Sequence, residues 1–197
     1  LRILVSGSHG FIGSALVAHL RAGGHDVVRL VRTEGRREGR GDPAPGDPGP
    51  GDVRWDPAAG VLDPAALEGM DAVVHLAGEG IASHRWTSAQ MGRVIDSRVQ
   101  GTTLLSEVLG QVTAKPAVLI SASAVGYYGD RGDALTTEDD PPGQGFLAEV
   151  CQQWEASTAP AQRAGIRVVN IRTASMVLGP SGGALAKLLP LFRLGVG

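Results

Sequence analysis

LRILVSGSHGFIG, residues 1–13, is the stretch from which the rest of the chain is read. Ile3, Leu4 and Val5 form a short apolar run that Ser6 and Gly7 interrupt. Gly10 and Gly13 follow at three-residue steps, and a helical pattern begins at once. A buried strand that turns into a helix on glycines makes an anion site. The first N–H groups of the helix have no partner within it, and its dipole end is positive. Glycine lets a phosphate approach the backbone, because no Cβ stands in the way. The spacing is G-x-x-G-x-x-G rather than the usual G-x-G-x-x-G. In a chain with 29 glycines the three alone also fit a tight turn with no ligand. Context favours a dinucleotide, because a second apolar strand ends about 20 residues on, where such folds read the cofactor ribose. The candidates in the turn are Gly7, His9, Gly10, Phe11, Ile12 and Gly13.

Arg32 stands at the end of that second strand, His25 to Arg32. An acidic residue there bonds a ribose 2′-hydroxyl and selects NAD, whereas an arginine suits a 2′-phosphate. Glu34 lies two residues beyond, so the tip favours NADP over NAD, although a strand-end arginine also fits plain solvation.

Residues 34–52 change composition abruptly, to EGRREGRGDPAPGDPGPGD. With no large apolar residue the segment cannot bury enough surface to order itself, which predicts a flexible insertion. Its Arg36, Arg37 and Arg40 read as a solvated charge run or as helpers to a 2′-phosphate.

Downstream, short apolar runs alternate with helical patterns. Val53–Trp55 is a candidate strand, Asp63-Pro64 opens a short helix, and Asp71–Leu76 is a buried strand. A 3.6-residue period runs from Met91 to Leu109 behind Thr87 or Ser88 as cap. Arg98 falls on its inward face and needs a partner. Ala117–Ser121 is a further strand, followed by Ala122, Ser123 and a glycine- and tyrosine-rich loop. A helix is predicted over 146–164, kinked at Pro160, and a last strand over 166–171 with Arg172 behind it. This alternation predicts an α/β fold, a Rossmann-type doubly wound parallel sheet with helices on both faces. Ligands of such sheets sit at the carboxyl ends of the strands, which brings His75, Ala77, Gly78 and Glu79 into consideration.

At 197 residues the prior is one domain. A net charge of −2 provides no field for nucleic acid or an anionic membrane surface. No apolar run approaches a membrane span, and Leu1–Val5 is too short for a secretory core. The single Cys151 excludes an internal disulfide framework and fits a reducing cytoplasm. The chain starts without Met and stops in LLPLFRLGVG, so it is expected to be a fragment or to be ordered only this far.

SGSHGFIG, DAVVHLAG, RVQGTTLL, LISASAVGYYG and IRTASMVLGP occur in this order. Together they resemble the extended short-chain dehydrogenase/reductase superfamily. HLAGEGIASHRWT, SRVQGTTLL and FLAEVCQQWE resemble its atypical epimerase-like branch, often labelled NAD-dependent epimerase/dehydratase. The resemblance spans nearly the whole chain outside 34–52. It implies a nicotinamide cofactor, a small-molecule substrate, a homodimer through the two long helices, and a substrate-binding part beyond residue 197. By position it implies Gly7, Gly10 and Gly13 at the phosphates and Arg32 at the 2′-phosphate. It places Trp55 and Asp56 by the adenine, Ala77 and Gly78 by the ribose, and Ser123 as the catalytic serine, with Ser121 as the alternative.

The superfamily's Tyr-x-x-x-Lys pair is missing. Counting back from Glu155 puts Leu147 and Cys151 at its two positions, and shifting by one gives Phe146 and Val150. Arg98 replaces the usual asparagine ahead of the helix motif. Tyr127 or Tyr128 is the best candidate for handling a proton near Ser123, and either also fits packing under the loop. Cys151, with no adjacent base, reads as a small hydrophobe. Glu79, His84 and Arg85 belong to a loop that either reaches the site or is solvated. Three functions follow: an NADP(H)-dependent oxidoreductase, a catalytically silent NADP(H) sensor or scaffold, and an NAD-dependent nucleotide-sugar epimerase.

Overall fold

The computed structural model describes residues 1–33, 49–81, 85–174, 178–179 and 182–195. Its strands are β1 (Arg2–Ser6), β2 (Asp26–Arg32), β3 (Val53–Asp56), β4 (Val61–Leu62), β5 (Ala72–His75), β6 (Val118–Ala124), β7 (Arg167–Thr173) and β8 (Leu178–Gly179). Its helices are α1 (Phe11–Ala22), α2 (Ser88–Gln111), α3 (Phe146–Ala156), α4 (Ala159–Arg163) and α5 (Gly183–Arg193). Seven strands form one sheet in the order β4-β3-β2-β1-β5-β6-β7. Every pairing is parallel except β3 with β4. The chain winds outward from β1 in one direction and then from β5 in the other. The crevice between their carboxyl ends is the switch point at which such sheets bind ligands.

Alternation along the strands assigns the two faces. Ile3, Val5, Val27 and Val74 pack with Val17 of α1. Leu4, Val28, Leu30, Val73 and Leu119 pack with Leu105, Val108 and Leu109 of α2. Burying each such leucine contributes about 2 kcal/mol, so the α2 side carries most of the cohesion. Both faces are thus covered by helices, in a Rossmann-type arrangement.

Several boundaries differ from the sequence expectation. The helix predicted over 146–164 is two helices. Ser157 Oγ donates to the Gln153 carbonyl and Thr158 Oγ1 to that of Glu155, each at 2.7 Å. These hydroxyls close α3, and Pro160 then falls in the first turn of α4, where its missing N–H breaks no helical bond. β6 runs on to Ala124, so Ala122 and Ser123 are strand residues, and Arg172 lies inside β7. β4 was not foreseen: two residues long, it turns Leu62 into the core.

Residues 34–48 of the insertion, with Arg36, Arg37 and Arg40, lie outside the described residues, as does His84. The end of the insertion is not a free loop. The Asp52 carboxylate, 5 % exposed, accepts from Gly49 N at 2.6 Å and from Arg29 Nε at 2.9 Å. The Arg29 guanidinium is among the contacts that hold it below the usual carboxylate range, against the upward pull of burial. Among the described residues no helix is long and apolar enough to cross a membrane.

Candidate functional site

The β1–α1 turn is built as a cradle. Gly7 has φ +65°, and a Cβ there would stand 2.7 Å from the Leu76 carbonyl carbon at the end of β5. Gly10 N donates to Gly7 O at 2.9 Å. Gly13 is buried under the turn, where a Cβ would overlap Gly7 O. Gly10 caps α1 without a side-chain bond, and the first helical turn holds no acidic residue. The leading N–H groups therefore face outward without a side-chain acceptor, which fits an anion. Phe11 and Ile12 are 36 % and 43 % exposed beside this opening, and Phe11 occupies the space where Gly179 and Gly182 have no Cβ. His9 is exposed and accepts from Arg29 Nη1 at 3.0 Å.

A second opening lies between the ends of β2 and β3 and the side of α2. This cleft is lined by Arg32, Trp55, Ala77, Gly78 and Ser97 among others. Arg32 is exposed at the strand end, in register with Trp55. Trp55 itself is only 2 % exposed: it packs edge-on to His75 with ring centroids 5.9 Å apart and lies against Gly101. Its contribution to the cleft is an edge of the floor. Asp56 Oδ1 accepts from Ala58 N and Ala59 N, both at 3.0 Å, and so builds the turn after β3. Glu79 is held by its backbone N–H, which donates to Ser97 Oγ at 3.0 Å.

His75 is a structural brace beneath the crevice. Ser6 Oγ accepts from Leu76 N and Ala77 N at 3.1 and 3.3 Å. Its one proton therefore goes to His75 Nδ1, 2.6 Å away. The imidazole is left with its proton on Nε2, which donates to Thr102 Oγ1 at 3.1 Å. Trp154 Nε1 donates to the same oxygen at 3.0 Å. Burial drives the His75 pKa down to about 4, so the ring is neutral at pH 7.

On the other side of α2 the end of β6 meets α3. Ser123 Oγ donates to Glu155 Oε1 at 2.6 Å. Arg172 clasps the same carboxylate with Nε and Nη2 at 2.8 and 2.9 Å, and its Nη1 donates to the Tyr128 phenol oxygen at 2.7 Å. The guanidinium carbon lies 3.5 Å from the Tyr127 ring centroid. The hydrogen bond to Glu155 raises the Arg172 pKa above its ordinary value. The structure thus separates the two tyrosines, with Tyr127 a shelf for Arg172 and Tyr128 its hydrogen-bond partner. Sequence reasoning used Glu155 only to count register, and no motif linked it to Arg172, 17 residues away. Cys151 is buried, which raises its thiol pKa, and it lies with Leu147 against Gly126. An open hollow is lined by Trp86, Gly126, Phe146 and Leu147 among others.

A family model described as the NAD dependent epimerase/dehydratase family matches residues 3–194. The chain belongs to this family. Epimerase family protein Mb2239 of Mycobacterium bovis is 45 % identical over 195 residues, covering 99 % of this chain and 60 % of that protein. Human epimerase family protein SDR39U1 is 35 % identical over 200 residues, covering 100 % of this chain and 61 % of that protein. The crystal structure of human SDR39U1 (isoform 2) with NADPH superposes with a TM-score of 0.80 at 34 % identity, over 100 % of this chain and 61 % of that one. A nucleoside-diphosphate sugar epimerase from Corynebacterium glutamicum superposes with a TM-score of 0.79 at 41 % identity, over 98 % and 38 %. The chain spans about 60 % of the length of the two curated relatives.

This epimerase/dehydratase family chain keeps the glycine turn but has no phenol or amine on α3, whose sequence is FLAEVCQQWEA. The phenols nearest Ser123 in sequence come from the 3-10 turn Val125–Tyr128 that follows β6.

Proposed function

We propose that this chain holds NADP(H) along the switch-point crevice and serves an oxidoreductase acting on a small molecule. The observation that carries the reading is the uncapped glycine cradle at the β1–β5 switch point, with Arg32 at the tip of β2. The structure of the human relative with NADPH supports it. Gly7, Gly10 and Gly13 would hold the diphosphate, Arg32 the 2′-phosphate, and the cleft beside Ala77 and Gly78 the adenosine half. The cofactor supplies a hydride to a carbonyl carbon or takes one from an alcohol.

The chain's own groups then divide the proton work. Ser123 gives its proton to Glu155, so it offers the substrate an acceptor oxygen and orients it. Tyr128 receives a hydrogen bond from Arg172 and keeps its own proton for donation to a carbonyl oxygen, with the phenolate left beside a guanidinium. The hollow lined by Trp86, Phe146 and Leu147 suits an apolar part of the substrate.

A second reading is a silent NADP(H)-binding protein. It is favoured by the absence of a phenol or amine from α3 and by a Ser123–Glu155–Arg172 cluster that satisfies itself. An NAD-dependent nucleotide-sugar epimerase accords with the Corynebacterium relative's name but not with Arg32. Titration of NADPH and NADH followed by a panel of carbonyl substrates separates these. The oxidoreductase reading requires NADPH oxidation that Tyr128→Phe and Ser123→Ala both slow. Binding without turnover leaves the silent reading, and preference for NADH with sugar-nucleotide turnover leaves the epimerase.

A further inference from the structure

One cation beside the crevice has surroundings that the fold alone does not account for. Arg98, on α2, is partly buried at the carboxyl edge of the sheet, and its guanidinium carbon would lie 3.4 Å from a Cβ placed on Gly78. Its Nη1 donates to the Val94 carbonyl, one turn back on its own helix, at 3.1 Å. The guanidinium carbon is 4.9 Å from the centroid of the Trp154 ring. Among the described residues no carboxylate comes within 4.0 Å of it, while three other arginines find one. Burial lowers its pKa, and the field of Glu79 offsets this in part. A guanidinium drawn out of water with one carbonyl and an aromatic face is poorly compensated, and an anion would complete it.

Its place indicates which anion. The cradle glycine Gly7 abuts Leu76 and Ala77, and Gly78 is the next residue. Arg98 and the cradle therefore flank the same exit from β5. The first turn of α1 carries N–H groups and a partial dipole charge but no basic side chain. A dinucleotide's diphosphate bears two full charges, more than the cradle balances.

We propose that Arg98 is the counter-charge to the cofactor diphosphate, reaching past Gly78 from α2 while the Gly7–Gly13 turn holds the same group from α1. This rests on the cofactor reading above. It assigns Arg98 to the part common to NADPH and NADH and leaves discrimination between them to Arg32.

Arg98→Met and Arg98→Gln are titrated calorimetrically with NADPH, ADP and 2′-AMP at low and moderate salt, and their melting is checked without ligand. Both variants are expected to weaken NADPH and ADP by about tenfold or more and to flatten the salt dependence of both. Binding of 2′-AMP, which has no diphosphate, should stay unchanged. Arg98→Lys should retain part of the affinity. Unchanged ADP binding alongside weakened NADPH would move Arg98 to the nicotinamide half and overturn the proposal. Equal weakening of 2′-AMP, or no change with any ligand, would also overturn it. Wild-type protein that binds none of the three would instead sink the cofactor reading on which it rests.

Discussion

Lowering the pH should destabilise the fold, because His75 in the brace beneath the crevice takes up a proton far more readily once the chain unfolds. This imidazole is fully buried, accepts the only proton of Ser6 and donates to Thr102. Charging it would put a proton on Nδ1, where Ser6 now donates, and would place a cation in the core. The pKa is about 4 in the folded chain, against about 6.5 when unfolded. A depressed folded value means that the unfolded chain binds the proton first as pH falls. The stability contributed by the neutral ring is therefore complete above about pH 6.5, drains away between about 6.5 and 4, and is gone below. The gap corresponds to about 3 kcal/mol in total, of which roughly 2 kcal/mol is lost by pH 5. Urea unfolding followed by tryptophan fluorescence from pH 7.5 to 4.5 measures it. His75→Gln is run in parallel to subtract the other titrating groups. The stability advantage of wild type over the variant should shrink by about 2 kcal/mol between pH 7.5 and 5. Parallel profiles for the two proteins would refute the buried neutral histidine.

Other outcomes follow from the same geometry. Gly13→Ala should destabilise the fold by about 2–3 kcal/mol in urea unfolding and abolish cofactor titration, because its Cβ overlaps Gly7 O. Arg172→Met leaves Glu155, 13 % exposed, with Ser123 as its remaining side-chain donor among the described residues. It should cost about 3 kcal/mol, and adding Glu155→Gln should recover much of that in a double-mutant cycle. Cys151 should react slowly with an aromatic disulfide reagent in the native protein and quickly in denaturant, since burial keeps its thiol protonated.

The sheet and the cradle were legible because they depend on local patterns. Short apolar runs mark strands buried on both faces, and glycines at fixed steps mark the turn. The place of Arg32 at a strand end was legible because the apolar pattern of β2 is local. The strand β4 was not, since two residues carry no period. The break after Ala156 was hidden because Ser157 and Thr158 cap only once their hydroxyls turn back on the helix. Asp52 looked like part of a solvated run, and its partner Arg29 lies 23 residues away across the insertion. The Ser123–Glu155–Arg172–Tyr128 cluster joins four elements, and no spacing rule relates residues brought together by a parallel sheet. His75 and Arg98 show the same limit. The sequence marks both as inward-facing, while only the fold reveals that one is fully bonded and the other is not.

Parallel calorimetric titrations of NADPH and NADH into the wild-type chain and Arg32→Ala read out what the glycine cradle and Arg32 hold. Loss of a charge-assisted contact to the 2′-phosphate corresponds to about a tenfold change or more. Wild type is expected to bind NADPH more tightly than NADH by at least that factor, and Arg32→Ala to bring the two together without abolishing either. Tighter binding of NADH by wild type, or no binding of either dinucleotide, would contradict it.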